Sequence, residues 1–285
     1  MASYMYYILP AVGGYTLTSL YLLKNPHILH KKKETSFRCR HISHRGGCGE
    51  RIENTMEAFT HATQQGTEML ELDCHLTRDG QVIVSHDENL LRQTGQDITV
   101  STVNFNELPL YKESLEVTFN TGKFSTGEDR HFARLEDVFR TFPRMPVNIE
   151  IKEDNEALIN QNPCMPYMFS MKRGIQLLLL FYSGLLPFVP LGESFLQFYL
   201  PCIFNRTYIP DMPILRNQMV VYLIEKLTIR KSLFDHLVKR GIQIHLFVCN
   251  EEQDIETVFT VGATGVMTDY PTLLRNYFIK QGQET

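Results

Sequence analysis

The chain has 285 residues and a mass of 33.1 kDa, with 43% hydrophobic and 21% charged residues; that much apolar material builds a buried core and excludes disorder as the main state. A net charge of -4 and a pI near 6.2 leave no basic field to attract a phosphate polymer, so nucleic acid is not an expected partner. Cys39, Cys48, Cys74, Cys164, Cys202 and Cys249 contain no C-x-x-C pair, which argues against a disulfide scaffold, a zinc centre and dithiol redox chemistry.

The first element is the uncharged stretch 2–23, which includes five tyrosines. As a helix rising ~1.5 Å per residue it would extend about 33 Å, the depth of a bilayer's hydrocarbon layer. Residues 1–24 are therefore expected to form a transmembrane anchor. No Lys or Arg precedes the apolar run, whereas Lys24 and Lys31-Lys32-Lys33 follow it, the reverse of a cleavable signal peptide. The alternative is a buried amphipathic helix, which Pro10 and Gly13-Gly14 would weaken outside lipid. Residues 25–40 read as a basic linker whose charge favours a cytosolic globular part. The sequon Asn205-Arg206-Thr207 would favour the lumenal side if it carried a glycan.

From residue 41 onward, short β-rich runs alternate with helical stretches, the pattern of a parallel α/β sheet or barrel. Strands are expected at 41–44, 69–76, 81–87, 146–152, 166–171, 243–249 and 265–269, and helices at 53–65, 135–141 and 230–240. The last helix runs into Gly241, a residue suited to the left-handed position past a helix end. Residues 88–134 are polar and weakly periodic and read as a small insertion.

Within 69–76 the two-residue period puts Leu70, Leu72, Cys74 and Leu76 on one face and Glu71, Asp73 and His75 on the other. A parallel sheet is covered on both faces, so the acids are expected to point into a barrel interior or its mouth. The run 146–152 repeats the arrangement, with Val147, Ile149 and Ile151 opposite Asn148, Glu150 and Lys152. Three carboxylates, Glu71, Asp73 and Glu150, brought together in a partly buried space repel one another unless a cation balances them. A hard divalent ion with oxygen ligands suits that role. His44 and His86 stand at carboxyl ends of strands, where α/β proteins place their reactive groups. Such a pair can supply one base and one acid near neutral pH. Arg45 and Lys152 add positive charge suited to an anionic substrate. His75 is assigned a structural role, and His27, His30, His61, His131, His236 and His245 none. Gly46-Gly47-Cys48-Gly49 between a strand and a helix imitates a dinucleotide-binding turn, but Ile52 stands where the third glycine is needed and His44-Arg45 precede the turn.

The segments HRGGCGERIENTMEAF, ELDCHLTRDGQVIVSHDENLLRQTG, NIEIK and NEEQDIETVFTVGATGVMTDYP resemble, in order and spacing, the glycerophosphodiester phosphodiesterase family, and in particular its membrane-anchored lysophospholipase D branch. The resemblance implies a TIM-type (β/α)8 barrel over 41–285. It implies that Glu71, Asp73 and Glu150 hold Mg2+ or Ca2+, that His44 and His86 form the acid–base pair, that Arg45 and Lys152 meet the substrate phosphate, and that Glu53 supports them. The implied activity is phosphodiester hydrolysis of lysophospholipids such as lysophosphatidylcholine, or of glycerophosphodiesters, at membranes of the endoplasmic reticulum or around the nucleus. In such a barrel the apolar stretch 175–204, too hydrophobic for a solvent loop, is expected at the carboxyl-end face as a membrane-dipping or lipid-gating segment.

The chain departs from the family at one place. About 13 residues separate Lys152 from Pro166, whereas a crossover helix with its following strand takes about 30. One βα unit is therefore missing and the barrel is expected to be incomplete. The alternative function is a membrane-anchored lipid-binding protein with impaired catalysis.

Overall fold

In the computed structural model, which describes residues 2–150, 162 and 164–282, β1 (His41–Ser43) lies inside a parallel sheet. β2 (Met69–Leu76) flanks it on one side, with β6 (Val147–Glu150) beyond. On the other side come β9 (Gly265–Thr268), β8 (Gln243–Phe247) and β7 (Phe195–Tyr199). The order β6-β2-β1-β9-β8-β7 is that of a (β/α)8 barrel. Met168 adds one parallel bridge to Phe195 at the β7 edge. Among the described residues β6 pairs with β2 and with no other strand. Among the described residues the sheet is thus curled and has no strand joining β6 to the Met168 edge, where the missing unit would stand. Across this seam Asn148 Nδ2 donates to Gln197 Oε1 (2.9 Å), and Gln197 in turn contacts His245 Nδ1 (3.0 Å).

Burial on both faces explains why β2 alternates as it does. Leu70 and Leu72 pack against Phe59 and Ala62 of α2 (Met56–Gln64) and Val138 of α4 (Leu135–Thr141), while Glu71 and Asp73 are buried on the opposite, interior side. α2 starts at Thr55, whose hydroxyl accepts from Ala58 N (3.1 Å). The excursion 88–134 has a small core of its own, Leu90, Val100, Tyr111, Leu115 and Phe132 with Ile83, and carries α3 (Leu91–Thr94) and the hairpin β4 (Ser114–Glu116)–β5 (Phe124–Thr126). The main core lies between β7–β9 and the helices α5 (Met171–Tyr182), α7 (Lys231–Lys239), α8 (Glu252–Thr260) and α9 (Pro271–Lys280); α6 (Gln218–Thr228) lies outside that cluster. Gly241 ends α7 at φ +84, and a Cβ there would stand 2.1 Å from the Lys33 carbonyl oxygen, so conformation and space both require glycine.

Three strand assignments change. β3 (Val82–Val84) runs antiparallel to the end of β2, so 81–87 is a flap on that strand rather than a barrel strand. The run 166–171 contributes only the Met168 bridge. Within the apolar stretch 175–204, Phe195–Tyr199 is β7, which owes its hydrophobicity to burial in the sheet, and α5 is the crossover helix leading to it.

α1 (Ala2–Lys24) is helical as expected, but among the described residues no helix is long and apolar enough to cross a membrane. Its tyrosines, Pro10 and paired glycines dilute the apolar run. The second half of α1 docks on the barrel: Tyr15 Oη donates to Ser183 O and Ser19 Oγ to Gly184 O, both at 2.6 Å. Residues 25–40 are also held, through Lys33 N to Arg240 O (2.8 Å) and Cys39 N to Gln243 Oε1 (3.1 Å).

Candidate active site

The β2–β6 register sets Glu71 opposite Asn148 and Asp73 opposite Glu150. One carboxylate oxygen from each of Glu71, Asp73 and Glu150 lies within 4.8 Å of the other two, with Glu71 and Asp73 buried and Glu150 exposed. Burial, with the charge of Asp73 added, pushes the Glu71 carboxyl up to about 7 although His44 pulls it down. The all-oxygen donor set of the three carboxylates fits a hard divalent cation.

Past β1 the chain turns sharply, with Arg45 at φ +48 and Gly46 and Gly47 at +77 and +87. A Cβ on Gly47 would stand 2.7 Å from the Pro271 ring. The glycines serve this turn and its packing rather than a dinucleotide. The turn brings His44 Nδ1 to 2.6 Å from Asp269 Oδ1 and leaves Nε2 4.0 Å from Glu71 Oε2. Burial disfavours the charged imidazole, but Asp269 outweighs it and the His44 pKa is raised. Burial likewise opposes ionised Asp269, and His44 overcomes it to hold that carboxyl below its usual range. Cys48 Sγ also donates to Asp269 Oδ1 (2.8 Å), and burial beside that charge pushes its thiol well above the ordinary range.

Arg45 sits among the acids and is 2% exposed. Its backbone N–H donates to Glu71 Oε2 (2.9 Å), Nη1 donates to Glu53 Oε2 (3.2 Å), and Nε stands 3.9 Å from Asp73 Oδ2. Glu53 further accepts from Arg92 Nη2 (2.6 Å) and Gln93 Nε2 (2.8 Å). Burial works against ionised Glu53, but Arg45 and Arg92 outweigh it and hold the carboxyl far below its usual range. Arg92 Nε donates to Asp87 Oδ2, and Asp87 Oδ1 meets His86 Nδ1, both at 2.7 Å. Ser85 N donates to Asp73 O (3.0 Å), which ties the residue before His86 to the strand that carries Asp73. His75 Nε2 contacts the His86 carbonyl (3.3 Å) and supports that loop.

The expected residues His44, Arg45, Glu53, Glu71, Asp73, His86 and Glu150 thus form one connected group, while Lys152 lies outside the described residues. Arg45 is placed to neutralise Glu53 and Asp73 from within the group. Sequence reasoning passed over Asp269, Cys48, Asp87, Arg92 and Asn250, whose Nδ2 donates to Asp269 Oδ2 (2.7 Å). The rule that singled out His44 applies equally to Asp269, which stands at the carboxyl end of β9, and Asp87 simply follows His86.

Fold and site define a barrel-type protein with a cluster of carboxylates and two histidines at the carboxyl ends of its strands, the place where such barrels carry their chemistry. The model of the glycerophosphoryl diester phosphodiesterase family matches residues 44–176. The chain is 46% identical over 312 aligned positions to lysophospholipase D GDPD3 of Homo sapiens, covering 99% of this chain and 98% of that one. It is 43% identical over 302 positions to lysophospholipase D GDPD1 of Homo sapiens, covering 95% and 96%. A solved glycerophosphodiester phosphodiesterase from Agrobacterium tumefaciens str. C58 shares the fold, with a TM-score of 0.55 at 17% identity over 84% of this chain and 98% of that one. The chain belongs to the glycerophosphoryl diester phosphodiesterase family, grouped with relatives that carry the name lysophospholipase D, and is a phosphodiester hydrolase.

Proposed function

We propose that this chain is a metal-dependent lysophospholipase D: it cleaves the headgroup phosphodiester of lysophospholipids such as lysophosphatidylcholine, releasing lysophosphatidic acid and choline, with glycerophosphodiesters as related substrates. The observation that carries this reading is the meeting of three carboxylates from β2 and β6 within 4.8 Å, with His44 Nε2 4.0 Å from one of them. Glu71, Asp73 and Glu150 would hold the divalent cation, Mg2+ or Ca2+, which when bound neutralises phosphodiester charge. Lys152, two residues beyond Glu150, adds its charge to the phosphate. One of His44 and His86 takes a proton from the attacking hydroxyl, and the other returns one to the departing alcohol. If the attacking hydroxyl is the free one on the substrate's glycerol, a cyclic phosphate forms and can be trapped; attack by water forms none.

Exposed apolar side chains support a membrane-bound setting. Met171, Ile175, Leu179 and Tyr182 form a solvent-facing stripe on α5, and Tyr6, Ile8 and Leu9 are exposed on α1. We place the enzyme on the endoplasmic reticulum or perinuclear membranes. Choline release from lysophosphatidylcholine, with and without divalent cation, tests the activity: release that depends on the cation and disappears in His44→Ala is expected. The open seam beside β6 favours a second reading, a lipid-binding protein with impaired catalysis. Equal absence of release from both proteins would favour it.

A further inference from the structure

We propose that Asp269 is a positioning residue for His44, fixing its orientation and the nitrogen on which it exchanges protons; this rests on the role given to His44 above. β1 and β9 are neighbours with Ser43 opposite Thr268, so the next residue on each, His44 and Asp269, emerge side by side. Their Nδ1 and Oδ1 atoms are 2.6 Å apart. An ionised carboxylate only accepts hydrogen bonds, so His44 carries its hydrogen on Nδ1 and turns Nε2 toward Glu71.

Asp269 is itself held from several sides and is fully buried. Oδ2 accepts from Asn250 Nδ2 (2.7 Å), Oδ1 accepts from Cys48 Sγ (2.8 Å), and its backbone N–H donates to Asn250 Oδ1 (3.0 Å). Thr268 Oγ1 donates to the same Asn250 oxygen (3.1 Å). Asn250 follows β8, so the carboxyl ends of three adjacent strands fix one imidazole. Phe119 also meets the ring edge-on at 5.3 Å between centroids, and its carbonyl accepts from Asn250 Nδ2 (3.3 Å). A bond serving only to tie β1 to β9 would not need the far carboxylate oxygen to be fixed as well.

The test compares Asp269→Asn with His44→Ala in steady-state choline release, together with calorimetric Mg2+ binding and melting temperature. Asp269→Asn is expected to lower kcat on the order of 10²- to 10⁴-fold with KM within about 3-fold of wild type, and to leave Mg2+ affinity and melting temperature in place. Near-normal kcat in Asp269→Asn beside an inactive His44→Ala would overturn the inference alone. A fully active His44→Ala would remove the reading on which it rests. A kcat loss matched by lost cation binding or melting temperature would make Asp269 a structural tie and also overturn it. The nitrogen-15 spectrum of histidine-labelled wild type needs no variant: His44 is expected as the Nδ1–H tautomer, and the Nε2–H form contradicts the assignment.

Discussion

Freed of divalent cations, the protein is expected to become less stable as pH rises from about 4.5 to about 7, and Glu71 is the residue responsible. Its carboxyl is raised from 4.5 to about 7, first by burial. Below 4.5 the folded and unfolded chains both hold the proton and the site costs nothing. As pH climbs, the unfolded chain releases its proton first and is stabilised relative to the folded one, until the folded site ionises near 7. At ~1.4 kcal/mol for each tenfold change in proton affinity, the displacement amounts to about 3 kcal/mol. For a chain of this size that corresponds to ~6–12 °C in melting temperature. Glu71→Gln removes the carboxyl and with it this dependence. In EDTA the variant and wild type should therefore melt together near pH 4.5 and separate as pH rises, the variant becoming more stable by about 3 kcal/mol above pH 7. Excess Mg2+ should reverse the order, since only wild type offers the full set of charged ligands. Parallel melting curves across the whole pH range in EDTA would refute the argument.

Arg45→Met takes the buried guanidinium away from Asp73 and leaves Glu53 with Arg92 alone, and should cost ~3–5 kcal/mol in denaturant titrations; a loss below about 1 kcal/mol would contradict the network. Gly47→Ala forces a Cβ into the Pro271 ring at φ +87; ~1–3 kcal/mol of destabilisation is expected, with reduced choline release as the His44–Asp269 pair is displaced. In the native protein a maleimide should label exposed Cys164 and spare Cys48, which is 2% exposed and holds its proton tightly. Early modification of Cys48, read by mass spectrometry, would contradict its burial.

The parts of the site legible in sequence are those where local pattern and chemistry coincide. Alternation in β2 and β6 reveals Glu71, Asp73 and Glu150 because an acid on every second residue of an otherwise apolar strand has little reason to exist outside a polar interior. Asp269 and Asn250 carry no such contrast: each is one polar residue after an apolar strand, and their meaning depends on which strands lie side by side. The direction of β3 is equally a matter of pairing, which its short apolar run does not record. β7 was concealed for the opposite reason, since flanking apolar segments blur the strand into one long hydrophobic stretch. The open seam was legible as a length, because too few residues lie between Lys152 and Pro166 to hold a crossover helix and its strand. Helix formation in α1 also followed from its sequence, whereas tyrosines and glycines lowered its apolarity below what a membrane span requires.

The most direct test of the central claim is a crystal structure of the protein grown with Mn2+, a divalent ion whose anomalous signal locates it unambiguously. One anomalous peak bounded by the carboxylates of Glu71, Asp73 and Glu150, beside His44, is the expected result. Density at another site, or none between these three side chains in a preparation that releases choline from lysophosphatidylcholine, would contradict it.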